Sequence, residues 1–180
     1  MNGDIAEAPA LMANDARARI ADVYGRHGRQ AGRLAYLLTG DPDLAEDLAQ
    51  EAFVNLMGRL DSIRDERAIA AYLRRTVVNL ASKHWRRVGN ERRTVNIERD
   101  STAAKSTTLP DIESHDLIWR TLEGLPVRQR AAIVLRFYED LSEKETARVL
   151  GCRVGTVKSM VSRGLERVRK EMSRDEDDRS

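Results

Sequence analysis

A single cysteine, Cys152, stands in a chain of 180 residues, so neither an internal disulfide nor a cysteine metal cluster can form. Its three histidines, His27, His84 and His115, are scattered without metal-ligand spacing, and no glycine-rich phosphate loop is present. Cys152 has no base near it in sequence, so no nucleophile is expected. No catalytic residues, no metal and no cofactor are therefore expected, and the chain reads as a non-enzyme. Aromatic residues are only 4%, thin for a β-sandwich or a deep substrate pocket. No apolar run approaches the roughly 20 residues that span a bilayer, so no membrane insertion is expected. Residues 1–13 lack a basic segment followed by an apolar core, which argues against a secretory signal, and a cytoplasmic location is expected.

What is present is charge, 33% of residues, against a hydrophobic fraction of 41% that excludes wholesale disorder. That balance suits helices with narrow apolar stripes and broad solvated faces, so the expected fold class is all-α. The formal net charge of +2 conceals a segregation of signs. Residues 41–51 are acidic, 74–93 and 153–170 are basic, and 175–178 are acidic again. Such blocks suggest more than one charged partner surface, although solvated helix faces produce the same pattern.

Helical periodicity starts near Asp15. Ile20, Val23, Tyr24, Ala31, Leu34, Ala35 and Leu38 recur at three- and four-residue steps until Thr39-Gly40. Asp41 is a plausible N-cap with Pro42 at the first helical position, and Ala45, Leu48, Ala49, Ala52, Phe53, Leu56 and Leu60 form the buried side of the next helix. Residues 61–67 read as a loop, after which Ile69, Tyr72, Leu73, Thr76, Val77 and Leu80 carry a helix to about Arg87. Residues 89–110 are polar, basic and too poor in apolar side chains to order themselves. The expected organisation is a leader 1–14, a helical domain 15–88, a flexible linker 89–110, a second small helical domain 111–173 and an acidic tail 174–180.

In the second domain, Gly124-Leu125-Pro126 closes one helix and opens another that runs to Tyr138. Ser142-Glu143-Lys144-Glu145 is a capping box, and the short helix it opens ends at Leu150-Gly151. A capped helix, a glycine turn and a longer basic helix make a helix-turn-helix, whose second helix lies in the DNA major groove. Val157, Val161, Leu165, Val168 and Met172 form its inward stripe, leaving Lys158, Ser159, Ser162, Arg163 and Glu166 outward. Basic side chains there can grip phosphates or guanine edges. A solvated helix hairpin in an ordinary bundle is the competing reading. The helix 69–87 carries a second polar face with Arg75, Asn79, Lys83 and Arg86, suited to single-stranded DNA, with Trp85 as the better stacking candidate and Tyr72 on the apolar stripe. Glu46, Asp47, Gln50, Glu51 and Asn55 would repel nucleic acid and favour a protein partner.

These blocks resemble a known family. YLLTGDPDLAEDLAQEAFVNLM, AYLRRTVVNLASKHWRR and LEGLPVRQRAAIVLRFYEDLSEKETARVLGCRVGTVKSMVSRGLERVR are similar, in order and separation, to the two domains of extracytoplasmic-function (ECF) sigma factors of the sigma-70 family, regions 2 and 4. The resemblance implies a polymerase specificity subunit that binds RNA polymerase core and directs promoter-specific initiation. It places Asp47, Gln50, Glu51 and Asn55 on the β′ coiled coil, and Asp61, Ser62, Ile63 and Arg64, with Arg75, Asn79, Lys83 and Arg86, on a flipped base and strand of the melted −10 element. It places Arg153, Thr156, Lys158, Ser159, Ser162 and Arg163 on the duplex −35 element, and brings the second domain to the β flap. It admits an anti-sigma partner, which nothing in the residues encodes. Departures from the pattern are Ile63 where relatives often carry phenylalanine, Arg153 in place of a serine-like N-cap, and Gly164 inside the recognition helix, the last two each costing about 1 kcal/mol of helix stability. A stand-alone regulator using the helix-turn-helix alone and a plain helical adaptor remain the other classes to be tested.

Overall fold

The computed structural model describes residues 7–63, 65–94 and 118–177, with side chains described over 17–63, 65–88 and 118–173. Among the described residues the chain is helical, without strands. Six helices carry the architecture: α1 (Glu7–Thr39), α2 (Pro42–Met57), α3 (Glu66–Thr94), α4 (Val127–Ile133), α5 (Glu143–Leu150) and α6 (Val154–Asp177). A 3-10 turn (Leu60–Ser62) joins α2 to α3, and a π turn (Val134–Tyr138) prolongs α4.

The first three helices form one packed unit because each offers a continuous apolar stripe. Val23, Leu34, Leu37 and Leu38 of α1 meet Leu56 of α2 and Val77 and Val78 of α3, all essentially sealed from solvent. Full burial of such side chains contributes about 1.5–3 kcal/mol each, so this stripe dominates the unit. Every residue expected on the inner face of α2 is buried, Leu60 included. Tyr24 departs from expectation. It is half-exposed and lies edge-on to Phe53 at the rim rather than in the core.

The α1–α2 corner follows its sequence. Gly40 adopts a left-handed φ of 73°, and its N–H donates to the Tyr36 carbonyl at 2.7 Å. Asp41 then caps α2, its Oδ1 accepting from the N–H groups of Asp43 and Leu44 at 3.0 and 3.1 Å.

Three boundaries differ from the sequence expectation. α1 begins at Glu7, inside the expected leader, because Ala and Leu favour helix and Pro9 falls in the first turn, where no N–H is needed. α3 continues to Thr94, past the expected start of the linker at 89. α6 runs through the acidic stretch to Asp177. The remainder of the linker up to residue 117 lies outside the described residues.

The second unit is built from shorter pieces held by local devices. A helical stretch over 118–122 leads through Gly124 and Pro126 into α4. Where a continuous helix to Tyr138 was expected, α4 gives way at Ile133 to the π turn, with Glu139 N–H bonded to the Val134 carbonyl. That turn rotates Phe137 outward and Glu139 inward. The expected capping box is present at α5: Ser142 Oγ accepts from Glu145 N–H, and the Glu145 carboxylate accepts from Ser142 N–H at 2.8 Å. Gly151, with φ 61°, ends α5 in the left-handed region. One buried apolar cluster runs through both units.

Candidate nucleic-acid and polymerase interface

Helix α6 follows the turn Gly151–Arg153, whose Arg153 carbonyl accepts from the N–H groups of Thr156 and Val157. Val157 is sealed against the unit while Val161, Leu165 and Val168 are half-buried, as expected. Met172 is not: it is 56% exposed. The opposite face presents Arg153, Thr156, Lys158, Ser159, Ser162 and Arg163, all exposed. Ser159 spends its proton on the Gly155 carbonyl at 3.1 Å, which leaves its oxygen free to accept. Lys158 lies 3.6 Å from Glu143 of α5, an exposed pair of small energetic value that a phosphate can displace.

Gly164 has a role that its cost in helix propensity conceals. It is buried, and a Cβ there would lie 2.6 Å from Ile133 Cδ1, so its absence lets α6 approach α4.

On α3, the Arg75, Asn79, Lys83 and Arg86 side chains are all exposed along one face. Trp85 is not available for stacking as expected: it is half-buried, its Nε1–H donates to the Leu38 carbonyl at 3.3 Å, and its ring sits edge-on to His84. Tyr72 is half-buried, and its hydroxyl donates to the Asn55 carbonyl at 3.2 Å. Asp61 and Ser62 are exposed on the 3-10 turn, and Ile63 is half-buried. Arg64 lies outside the described residues. The sequence reading missed Arg19 of α1, which donates to the Ile63 carbonyl at 2.7 Å and lies 3.8 Å from Asp61, tethering this turn. No local pattern links residues 44 apart, so only the fold reveals it.

Asp47, Gln50, Glu51 and Asn55 are exposed on α2. Val54 and Met57, 65% and 55% exposed, share that surface, so it combines carboxylates with apolar contact area. In the second unit, Phe137 is 61% exposed at the edge of an open cleft of about 430 Å³ between the π turn and α6, floored by Val161 and Leu165 and rimmed by Arg136 and Arg169. Among the described residues, no group of three or more histidine, cysteine or carboxylate side chains is placed to hold a metal, and no helix is long and apolar enough to cross a membrane.

Residues 23–91 match the family model for sigma-70 region 2, and residues 115–168 match that for sigma-70 region 4. The chain belongs to the sigma-70 family, in its ECF branch. Its relatives include the RNA polymerase sigma-E factor of Streptomyces avermitilis, 39% identical over 149 residues that cover 82% of each chain. The ECF RNA polymerase sigma factor SigM of Mycobacterium tuberculosis is 34% identical over 164 residues, covering 90% of this chain and 82% of the relative. Among solved structures, the sigma factor RpoE in complex with the anti-sigma factor NepR from Bartonella quintana matches with a TM-score of 0.66 and 26% identity, over 88% of this chain and 97% of that one. As a sigma factor, the protein directs promoter-specific transcription by RNA polymerase. Region 2 and region 4 correspond to the first and second units of the fold. The regulator and adaptor classes left open by the sequence are thereby set aside.

Proposed function

We propose a division of labour among three faces of this sigma factor. The α2 face, through Asp47, Gln50, Glu51 and Asn55, docks the β′ coiled coil of core polymerase, with Val54 and Met57 adding apolar contact. Asp61, Ser62, Ile63 and Arg64 hold a flipped base of the melted −10 element, while Arg75, Asn79, Lys83 and Arg86 track the strand's phosphates. Ile63 in place of an aromatic residue makes that pocket rely on shape rather than stacking. Arg153, Thr156, Lys158, Ser159, Ser162 and Arg163 read the −35 duplex. The β flap takes the Phe137 cleft. Initiation then follows from positioning and strand separation, without covalent chemistry by the subunit. An anti-sigma partner, as in the complex with NepR, competes for the same faces.

The observation that carries this reading is that the described members of all three residue sets other than the half-buried Ile63 are solvent-facing, although the chain packs around one core. Reconstituted transcription tests it. Lys158→Ala with Arg163→Ala should lower −35-dependent transcript yield about tenfold or more, with core binding retained. Charge reversal at Asp47 and Glu51 should abolish core binding and leave the circular dichroism spectrum intact. Full core affinity in the reversed variant would refute the α2 assignment.

A further inference from the structure

The turn that joins α2 to α3 carries Asp61, Ser62 and Ile63. Hydrogen bonds between neighbours shape it: Arg59 N–H donates to the Leu56 carbonyl at 2.8 Å, the Ser62 N–H and hydroxyl to the Arg59 carbonyl at 3.0 and 2.7 Å, and Ile63 N–H to the Leu60 carbonyl at 3.3 Å. Leu60, 3% exposed, anchors one end of the turn in the core. The other end is gripped from α1. Arg19 donates through one terminal nitrogen to the Ile63 carbonyl at 2.7 Å and holds the other 3.8 Å from the Asp61 carboxylate. Two turns further along the same face of α1, Arg26 pairs with Glu66, as does the adjacent His27, and Glu66 is the first residue of α3. Helix α1 thus brackets the whole connection. Arg19 itself lies upstream of residues 23–91, outside the segment that matches region 2.

Stability does not account for the Arg19 contact. Asp61 is fully exposed and Arg19 38% exposed, a setting in which an ion pair contributes little. The contact acts on shape and charge instead. A guanidinium is planar and rigid, so engaging the carbonyl and the carboxylate through its two ends fixes their relative direction. A carboxylate also repels the phosphates of an approaching strand, and a cation beside Asp61 offsets that repulsion.

We propose that Arg19 is a positioning residue for promoter melting: by gripping the Ile63 carbonyl and the Asp61 carboxylate, it presents the turn to the extruded base of the −10 element. A turn held in its receiving shape beforehand spares the ordering cost that the base would otherwise meet on entry. Arg19 acts through the turn rather than on the base.

The inference rests on the reading of this turn as the −10 pocket, and the experiment separates the two. Holoenzyme reconstituted from core polymerase and the full chain transcribes a duplex template pool randomised over the −10 and −35 windows. Sequencing the transcripts gives the base preference at each position. Arg19→Met should weaken the preference at a −10 position about tenfold, the weight of a hydrogen bond from a charged donor. The −35 preferences, the core affinity and the thermal melt of the chain should stay unchanged. Arg19→Lys keeps the charge and one donor but not the fork, and should fall between Arg19→Met and the parent. Equal loss at −10 and −35 positions, or reduced core affinity, overturns the positioning role. Asp61→Ala and Ile63→Ala report on the turn itself. If they alter a −10 position that Arg19→Met leaves untouched, the turn is the pocket and Arg19 does not set it. If none of the three alters any −10 position, the pocket reading falls as well.

Discussion

Region 2 and region 4 reach stability by different routes. Region 2 rests on α1, α2 and α3, of 33, 16 and 29 residues, whose apolar stripes seal one another over many turns. Region 4 sets helices of 7 and 8 residues against α6, too short to rely on stripe burial, and it depends on individual polar and steric devices. Charge loss at the surface of the first should therefore be absorbed, whereas loss of a single device in the second should propagate.

The largest effect expected from this contrast is at Arg130. Its guanidinium donates to the carbonyls of Leu122, Glu123 and Leu125 within region 4 and to that of Leu38 in α1 of region 2. Burial lowers its pKa to about 10, so it remains charged at neutral pH, and the helix-end carbonyls compensate its desolvation. Arg130→Met leaves those carbonyls orphaned and should cost about 3 kcal/mol in urea denaturation. Arg26 in region 2, ion-paired at the surface with Asp22 and Glu66, provides the comparison. Arg26→Met should leave the urea midpoint almost unmoved, and equal losses at the two positions would erase the contrast.

A smaller effect is expected where α6 crosses α4. Gly164→Ala gains about 1 kcal/mol of helix propensity but drives a methyl group into Ile133, an overpacking that costs about 1–3 kcal/mol. The net loss should be about 1 kcal/mol. Ile133→Val removes the offending Cδ1, so the double variant should recover about that amount relative to the sum of the singles. Strict additivity in thermal melts would show that Gly164 is not a contact requirement.

Much of this was legible in the residues. The α2 stripe, the Asp41 cap, the Ser142–Glu145 box and the outward sets on α3 and α6 are all local patterns, in which spacing determines which side faces the core. What could not be read is long-range. Trp85 stands among polar neighbours in sequence, yet its indole meets a carbonyl 47 residues away. Arg19, Arg130 and Glu139 likewise act through partners 44, 92 and 65 residues distant. The π turn was missed because Val134–Tyr138 keeps helical composition while its register shifts by one residue. Gly164 read as a defect because propensity is local and its reason, Ile133, is not.

The smallest effect separates the two regions by pH. Hydrogen bonds from the Ser142 side chain and then its backbone hold Glu145 below the ordinary carboxylate value of 4.5. Because the folded pKa is depressed, the stabilisation is complete above that value and disappears as pH falls through the lower one. In region 2, Glu66 is lowered too: desolvation pushes it upward, and hydrogen bonds from His27 and Arg26 outweigh this. Acid therefore weakens both regions. Glu145→Gln retains an acceptor for the capping box but no longer titrates. Between about pH 6 and about pH 3 the variant's amide-exchange protection in α5 should fall less steeply than that of the parent chain, while the decline in α3 is unchanged. Parallel acid profiles in α5 for the two chains would mean that the carboxylate at Glu145 contributes nothing beyond a neutral cap.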